Sequence, residues 1–157
     1  MKSATITEIK KELKQLSGEQ LHEIILRMAK YKLENKELLH YLLFEADFEE
    51  GYISMVKEEI EDGLSDLHPN LYYAKKSIRK TLRITQKFIK YSRKKETEIS
   101  LLMHFCHTLK DTGVSFSRST ALSNLYHRQL TKLEKAIGSL HEDLQFDYQE
   151  EIESLRI

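Results

Sequence analysis

The chain of 157 residues contains one proline, five glycines, one cysteine and no tryptophan. So few breakers exclude a fold built from short strands and tight turns and favour long helices. The lone Cys106 cannot close a disulfide within the chain. It falls in an apolar helical pattern with no basic neighbour to hold a thiolate, so it reads as a small buried hydrophobe. No stretch approaches the roughly 20 apolar residues of a membrane span. The segment 1–11 carries Glu8, Lys10 and Lys11 where a signal peptide needs an uninterrupted apolar run. A cytoplasmic protein with no membrane association is the expectation. Neither charge is in excess, since 25 Lys and Arg balance 25 Asp and Glu. Attraction to nucleic acid or an anionic surface must therefore come from a local patch.

What is present is helical periodicity almost throughout, and a single domain over 1–157 is expected. Thr5 with Glu8 and Ser17 with Gln20 have the spacing of capping boxes, opening helices through Ile9, Leu13 and Leu16 and through Leu21, Ile24, Ile25 and Met28. Asn35 is expected to cap a third helix. Leu38, Leu39, Leu42 and Leu43 make nearly one whole side of it apolar, which predicts a central position. The starts at Ser17 and Asn35 resemble each other at an offset of eighteen residues. That match is too short for a solenoid unit but compatible with stacked hairpins. Asp47 with Glu50 predicts another capping box, opening a helix over 48–67 with Tyr52, Met55, Val56, Ile60 and Leu64 inward and Glu58, Glu59, Glu61 and Asp62 outward.

A long amphipathic helix over 71–95 dominates the pattern. Leu71, Ala74, Ile78, Leu82, Thr85 and Ile89 share one side, and Lys76, Lys80, Arg83, Lys87, Lys90 and Lys94 the other. No Asp or Glu occurs between Leu67 and Lys95, so no pair three or four residues apart neutralises the basic row. His68 and Pro69 break the chain just before it, which predicts an antiparallel hairpin with the acidic helix and charge pairing along their flanks. Thr97 opens a strongly apolar helix through Ile99, Leu101, Leu102, Met103, Phe105, Cys106 and Leu109. Gly113 ends it in the way a left-handed cap requires. Ser117 or Ser119 starts a longer pattern through Leu122, Leu125, Tyr126, Leu133, Ala136, Ile137, Leu140 and Leu144, with Gly138 as a point of bending or interruption. Asp147 and Glu150 cap a last short helix carrying Ile152 and Leu155. The expected fold class is all-α, with about six to eight helices in antiparallel hairpins, forming an armadillo/HEAT-like superhelix or an irregular bundle.

The run of Leu16, Ser17, Glu19, Leu21, Ile24 and Ile25, followed by Asn35, Leu39 and Leu43, resembles small all-helical bacterial proteins classed as domains of unknown function. So do Ala74, Lys75, Lys76 and Ile78, then Gly113, Val114 and Phe116, and the pattern of Leu125, Tyr126 and Leu133. The resemblance covers roughly 6–137, implies an armadillo-like or HEAT-like arrangement and supplies no activity.

Signals for chemistry are few. Glu19 with His22 and Glu37 with His40 have the Glu-x-x-His spacing of di-iron bundles, but Glu in a first turn also simply complements the helix dipole. His104 and His107 share a helix face without an evident third ligand, which favours a hydrogen-bonded pair over a metal site. Asp111-Thr112-Gly113 spells an aspartic-protease triplet, yet it ends a helix and lacks a paired carboxylate. Gly113 to Ser117 lacks the second glycine and the preceding strand of a nucleophile elbow. No phosphate loop or zinc-ligand cysteine set occurs, and no cofactor is called for.

The basic row remains the strongest binding signal, with Tyr72, Tyr73 and Tyr91 offering stacking surfaces nearby. The leading expectation is a non-enzymatic helical interaction module that binds a protein partner or a second copy of itself. The alternative is a nucleic-acid-binding protein using the basic face of 71–95. A metalloprotein built on the histidines ranks third.

Overall fold

The computed structural model describes residues 1–157 and contains nine α-helices and no strand. The fold is all-α. Contacts divide the chain into two compact units, 1–44 and 45–157.

The first unit holds α1 (Ile6–Leu13), α2 (Gly18–Tyr31) and α3 (Leu33–His40), and α2 packs on α3. Both predicted capping boxes form. The Thr5 hydroxyl accepts from the Glu8 amide while the Glu8 carboxylate accepts from the Thr5 amide, and Ser17 and Gln20 do the same. The Glu8 carboxylate accepts from both the amide and the hydroxyl of Thr5, which favours its charged form and holds it below its ordinary range. The third start differs from expectation. Its helix begins two residues before Asn35, after Lys32, and the Asn35 amide donates instead to the Met28 carbonyl at 2.8 Å. That bond satisfies a carbonyl at the end of α2 and stitches the α2–α3 turn. After His40 the backbone widens into a π-helical turn, Tyr41–Glu45. The expected central position of this helix is not found: Leu38, Leu42 and Leu43 are all exposed.

The second unit is built around α6 (Lys95–Asp111), which packs against α4 (Glu49–Ser65), α5 (Leu71–Ser92), α7 (Thr120–Gly138) and α9 (Gln149–Leu155). Thr97, Ile99, Leu101, Leu102, Met103, Phe105, Cys106 and Leu109 are all buried, so this helix is apolar over most of its circumference. Three of these neighbours lie within two helices of it in the chain, and the contact with α9 comes from farther along. Four predicted core residues of α4, Tyr52, Val56, Ile60 and Leu64, face inward, but Met55 is exposed. The expected Asp47–Glu50 box is absent, and Phe48 caps α4 without a side-chain bond. Glu49 instead accepts from the hydroxyls of Ser92 and Thr97 and pairs with Lys94 at 2.9 Å, tying the start of α4 to the α5–α6 corner.

Helix α5 stops where Arg93 takes a left-handed conformation, φ 59°, and α6 stops before Gly113, φ 70°, as its sequence requires. A 3-10 turn at Phe116–Arg118 leads into α7, capped by Ser119. The long pattern that follows is interrupted at Gly138. The separate helix α8 (Glu142–Asp147) then leaves Leu144 exposed. The last helix starts at Gln149 with Tyr148 as its cap, in place of an Asp147 box. It is anchored by buried Leu155, whose carbonyl accepts from the Tyr126 hydroxyl at 2.7 Å. Lys110 donates to the carbonyls of Ser154 and Arg156 at its end.

The α4–α5 crossing depends on a missing side chain. A Cβ at Gly63 would collide with the hydroxyl of Thr81, which is buried and donates to the Ser77 carbonyl. Gly63→Ala gains helix propensity but overpacks this crossing, so we expect a net destabilisation of about 1 to 3 kcal/mol, seen as a lower urea midpoint. An unchanged or higher midpoint would contradict the close packing of the pair.

Candidate interaction surfaces

The first unit presents an unusual amount of apolar surface. No residue of α1, α2 or α3 is buried. Ile24, Ile25 and Met28 of α2 are exposed, and Leu42, Leu43 and Phe44 of the π-turn are 57%, 62% and 70% exposed. Isolated exposed leucines are ordinary, but a group of large apolar side chains on one small unit is a candidate interaction surface. The periodicity of α2 and α3 made these positions legible as apolar faces. It carried no information on what covers them.

On the second unit, burial of Ala74, Ile78, Thr81, Leu82 and Thr85 against the bundle turns the opposite side of α5 outward. Lys76, Lys80, Arg83 and Lys90 are exposed there, as predicted, and Lys87 is half-buried with its ammonium 5.0 Å from the Phe88 ring centre. Two members of the predicted group are corrected. Lys94 lies beyond the end of α5 and is occupied by Glu49 and by the Ala46 carbonyl. Tyr91 is only 8% exposed, held edge-on against Phe88, and offers no face for stacking. Tyr73 and its neighbour Tyr72 are exposed, and the Lys76 ammonium sits 4.5 Å from the Tyr72 ring centre.

Of the flank-to-flank pairing expected between α4 and α5, an ion pair forms at their ends, between Glu49 and Lys94. No carboxylate oxygen lies within 4.0 Å of Lys76, Arg79, Lys80, Arg83 or Lys90. The acidic side of α4 turns elsewhere, with Glu61 meeting His104 of α6.

The fold also brings a second row of cations to this side. Arg128 and Lys132 of α7 face Arg79 of α5 across a groove. A hydrogen bond of 3.2 Å from Gln86 to the buried Gln129 joins the two helices there. A contiguous hollow is lined by Lys76, Arg79, Lys80 and Arg83, and no carboxylate lines either one. Arg79 was legible in the sequence, three residues from Lys76 and four from Arg83, although it was left out of the predicted row. Arg128 and Lys132 are one turn apart on α7, but only the tertiary arrangement sets them opposite α5.

Cys106 is buried in the core, and His104 sits half-buried beside Glu61 of α4. No three His, Cys, Asp or Glu side chains converge as metal ligands would. Burial pushes the Cys106 thiol up to about 12, which removes its nucleophilic form at neutral pH. Burial is also the main influence holding His104 below the ordinary imidazole range, helped by the charge of Lys57 and opposed by Glu61. Glu61 Oε1 lies 2.9 Å from the solvent-shielded His104 Nε2, close enough to favour the charged ring against the effect of burial. No protein-family model, curated protein or solved structure matches the chain. No helix is long and apolar enough to cross a membrane.

The lowered value at His104 has a sign. Below about pH 6.5 the unfolded chain takes up a proton there that the folded chain resists, so this group lowers stability as the pH falls through that point. We expect His104→Gln to flatten the loss of urea midpoint between about pH 7 and about pH 5. An equally steep loss in the variant would place the acid sensitivity elsewhere.

Proposed function

We propose that the chain is a non-enzymatic, cytoplasmic helical interaction module that associates with a second copy of itself through the apolar surface of its first unit. The observation that carries this reading is the exposure of Ile24, Ile25, Met28, Leu42, Leu43 and Phe44 on a unit of 44 residues. A segment of this size has little core of its own, and association is one of the few ways to remove such side chains from water. Each large aliphatic side chain fully covered contributes roughly 1.5 to 3 kcal/mol, so a few of them are enough to offset much of the entropy of association. The likeness to small helical bacterial proteins fits the same reading, since an armadillo-like or HEAT-like arrangement acts by presenting surfaces. The absence of an activated nucleophile is consistent with binding as the activity: the single thiol is buried with its pKa raised.

Sedimentation or light scattering over a concentration series tests this directly. We expect the chain to run as a dimer or larger assembly, and Ile25→Lys with Leu43→Lys to make it monomeric while its helical circular dichroism is kept. A monomer at every concentration would overturn self-association. So would an assembly that survives the double substitution.

A further inference from the structure

A different observation, on the second unit, carries a binding site of its own. We propose that the groove between α5 and α7 binds the phosphodiester backbone of single-stranded nucleic acid. Three features support this. Cations stand on both walls, Arg79 on α5 facing Arg128 and Lys132 on α7, and continue along α5 through Lys80 and Arg83. Arg79 and Arg83 on α5, and Arg128 and Lys132 on α7, are each one helical turn apart, about 5.4 Å, comparable with the step between neighbouring phosphates of an extended strand. None has a carboxylate partner within 4.0 Å, in a chain that carries as many acidic as basic residues. An anion that enters therefore displaces solvent and counterions but breaks no ion pair.

The concave shape favours one strand over a duplex. Both helices lie on α6, and the hollow between them, about 1040 Å³, has room for a short stretch of one strand. Its lining suits nucleotides better than an acidic peptide. The amide of Gln86 presents hydrogen-bonding edges, and arginine guanidinium groups pair with phosphate through two parallel bonds and stack on bases. Tyr72 and Tyr73 stand exposed at the start of α5, within reach of the Lys76 end of the row. The net charge of zero predicts a local site with modest affinity and a clear salt dependence.

The test uses the full chain and four probes: a fluorescent single-stranded RNA, a DNA duplex, phosphatidylserine vesicles and a polyglutamate peptide. Each is titrated across a sodium chloride series. We expect the single strand to bind most tightly, with a slope of log affinity against log salt of about −3, as four phosphate contacts require at about −0.7 each. Arg79→Glu with Arg128→Glu is expected to weaken it at least about tenfold and make the slope shallower by about 1.4. Lys10→Glu with Lys14→Glu, the same charge change on α1, is expected to stay within about twofold. The neutral pair Arg79→Gln with Arg128→Gln provides the same comparison if the reversals impair folding, with a smaller loss in the same direction. No binding at low salt would overturn the proposal. So would equal or tighter binding of duplex, vesicle or polyglutamate, or an affinity that ignores both groove pairs.

Discussion

The bundle of the second unit depends on one constraint: α6 has almost no side that can face water. Leu101, Phe105, Cys106 and Leu109 are fully buried, and Ile99 and Leu102 nearly so. A helix apolar around most of its circumference is stable only when other helices surround it. Here α4, α5, α7 and α9 do so, each turning its own apolar stripe inward. Where one of these stripes carries a polar group, that group is satisfied locally. Thr81 and Thr85 donate to carbonyls of their own helix, and the Tyr126 hydroxyl reaches the Leu155 carbonyl.

The distribution of charge follows from that enclosure. Once α5 commits Ala74, Ile78, Leu82 and Thr85 to the core, helical geometry leaves its lysines and arginines on the outside. At the end of the helix the Glu49 carboxylate gathers Ser92, Lys94 and Thr97, while Lys76, Arg79, Lys80 and Arg83 have no carboxylate beside them. The close approach at Gly63 sets the crossing of α4 and α5. The acidic side of α4 meets α6 through Glu61 and His104, away from the basic face. The protein therefore keeps a strongly basic surface although its total charge is zero.

Much of the fold was legible because its signals are local. The Thr5 and Ser17 boxes need only four residues each, and Gly113 and Ser119 act as the backbone beside them requires. Errors arose where a side chain found a stronger partner outside its own turn. Asn35 reaches back to Met28 instead of capping α3, and at α4 Phe48 takes the cap position in place of the Asp47–Glu50 box while neighbouring Glu49 spans to the far end of α5. Periodicity marked Leu38, Leu42 and Leu43 as an apolar face, but a face is equally periodic whether it enters a core or awaits a partner. The basic row was readable as a face. Its continuation onto Arg128 and Lys132, and the burial of Tyr91, depend on packing between helices far apart in the chain.

The central claim is that Lys76, Arg79, Lys80 and Arg83 of α5 stand uncompensated in the folded chain, and the most direct measurement is the stability of Lys80→Gln with Arg83→Gln at low and high salt. Lysine, arginine and glutamine have similar helix propensities, so the substitutions change charge with little effect on the backbone. If the row is uncompensated, removing two charges raises the urea midpoint at low salt, and the gain shrinks as salt screens the repulsion. A lower midpoint at low salt that recovers with salt would show these side chains held in stabilising ion pairs, and would contradict the account.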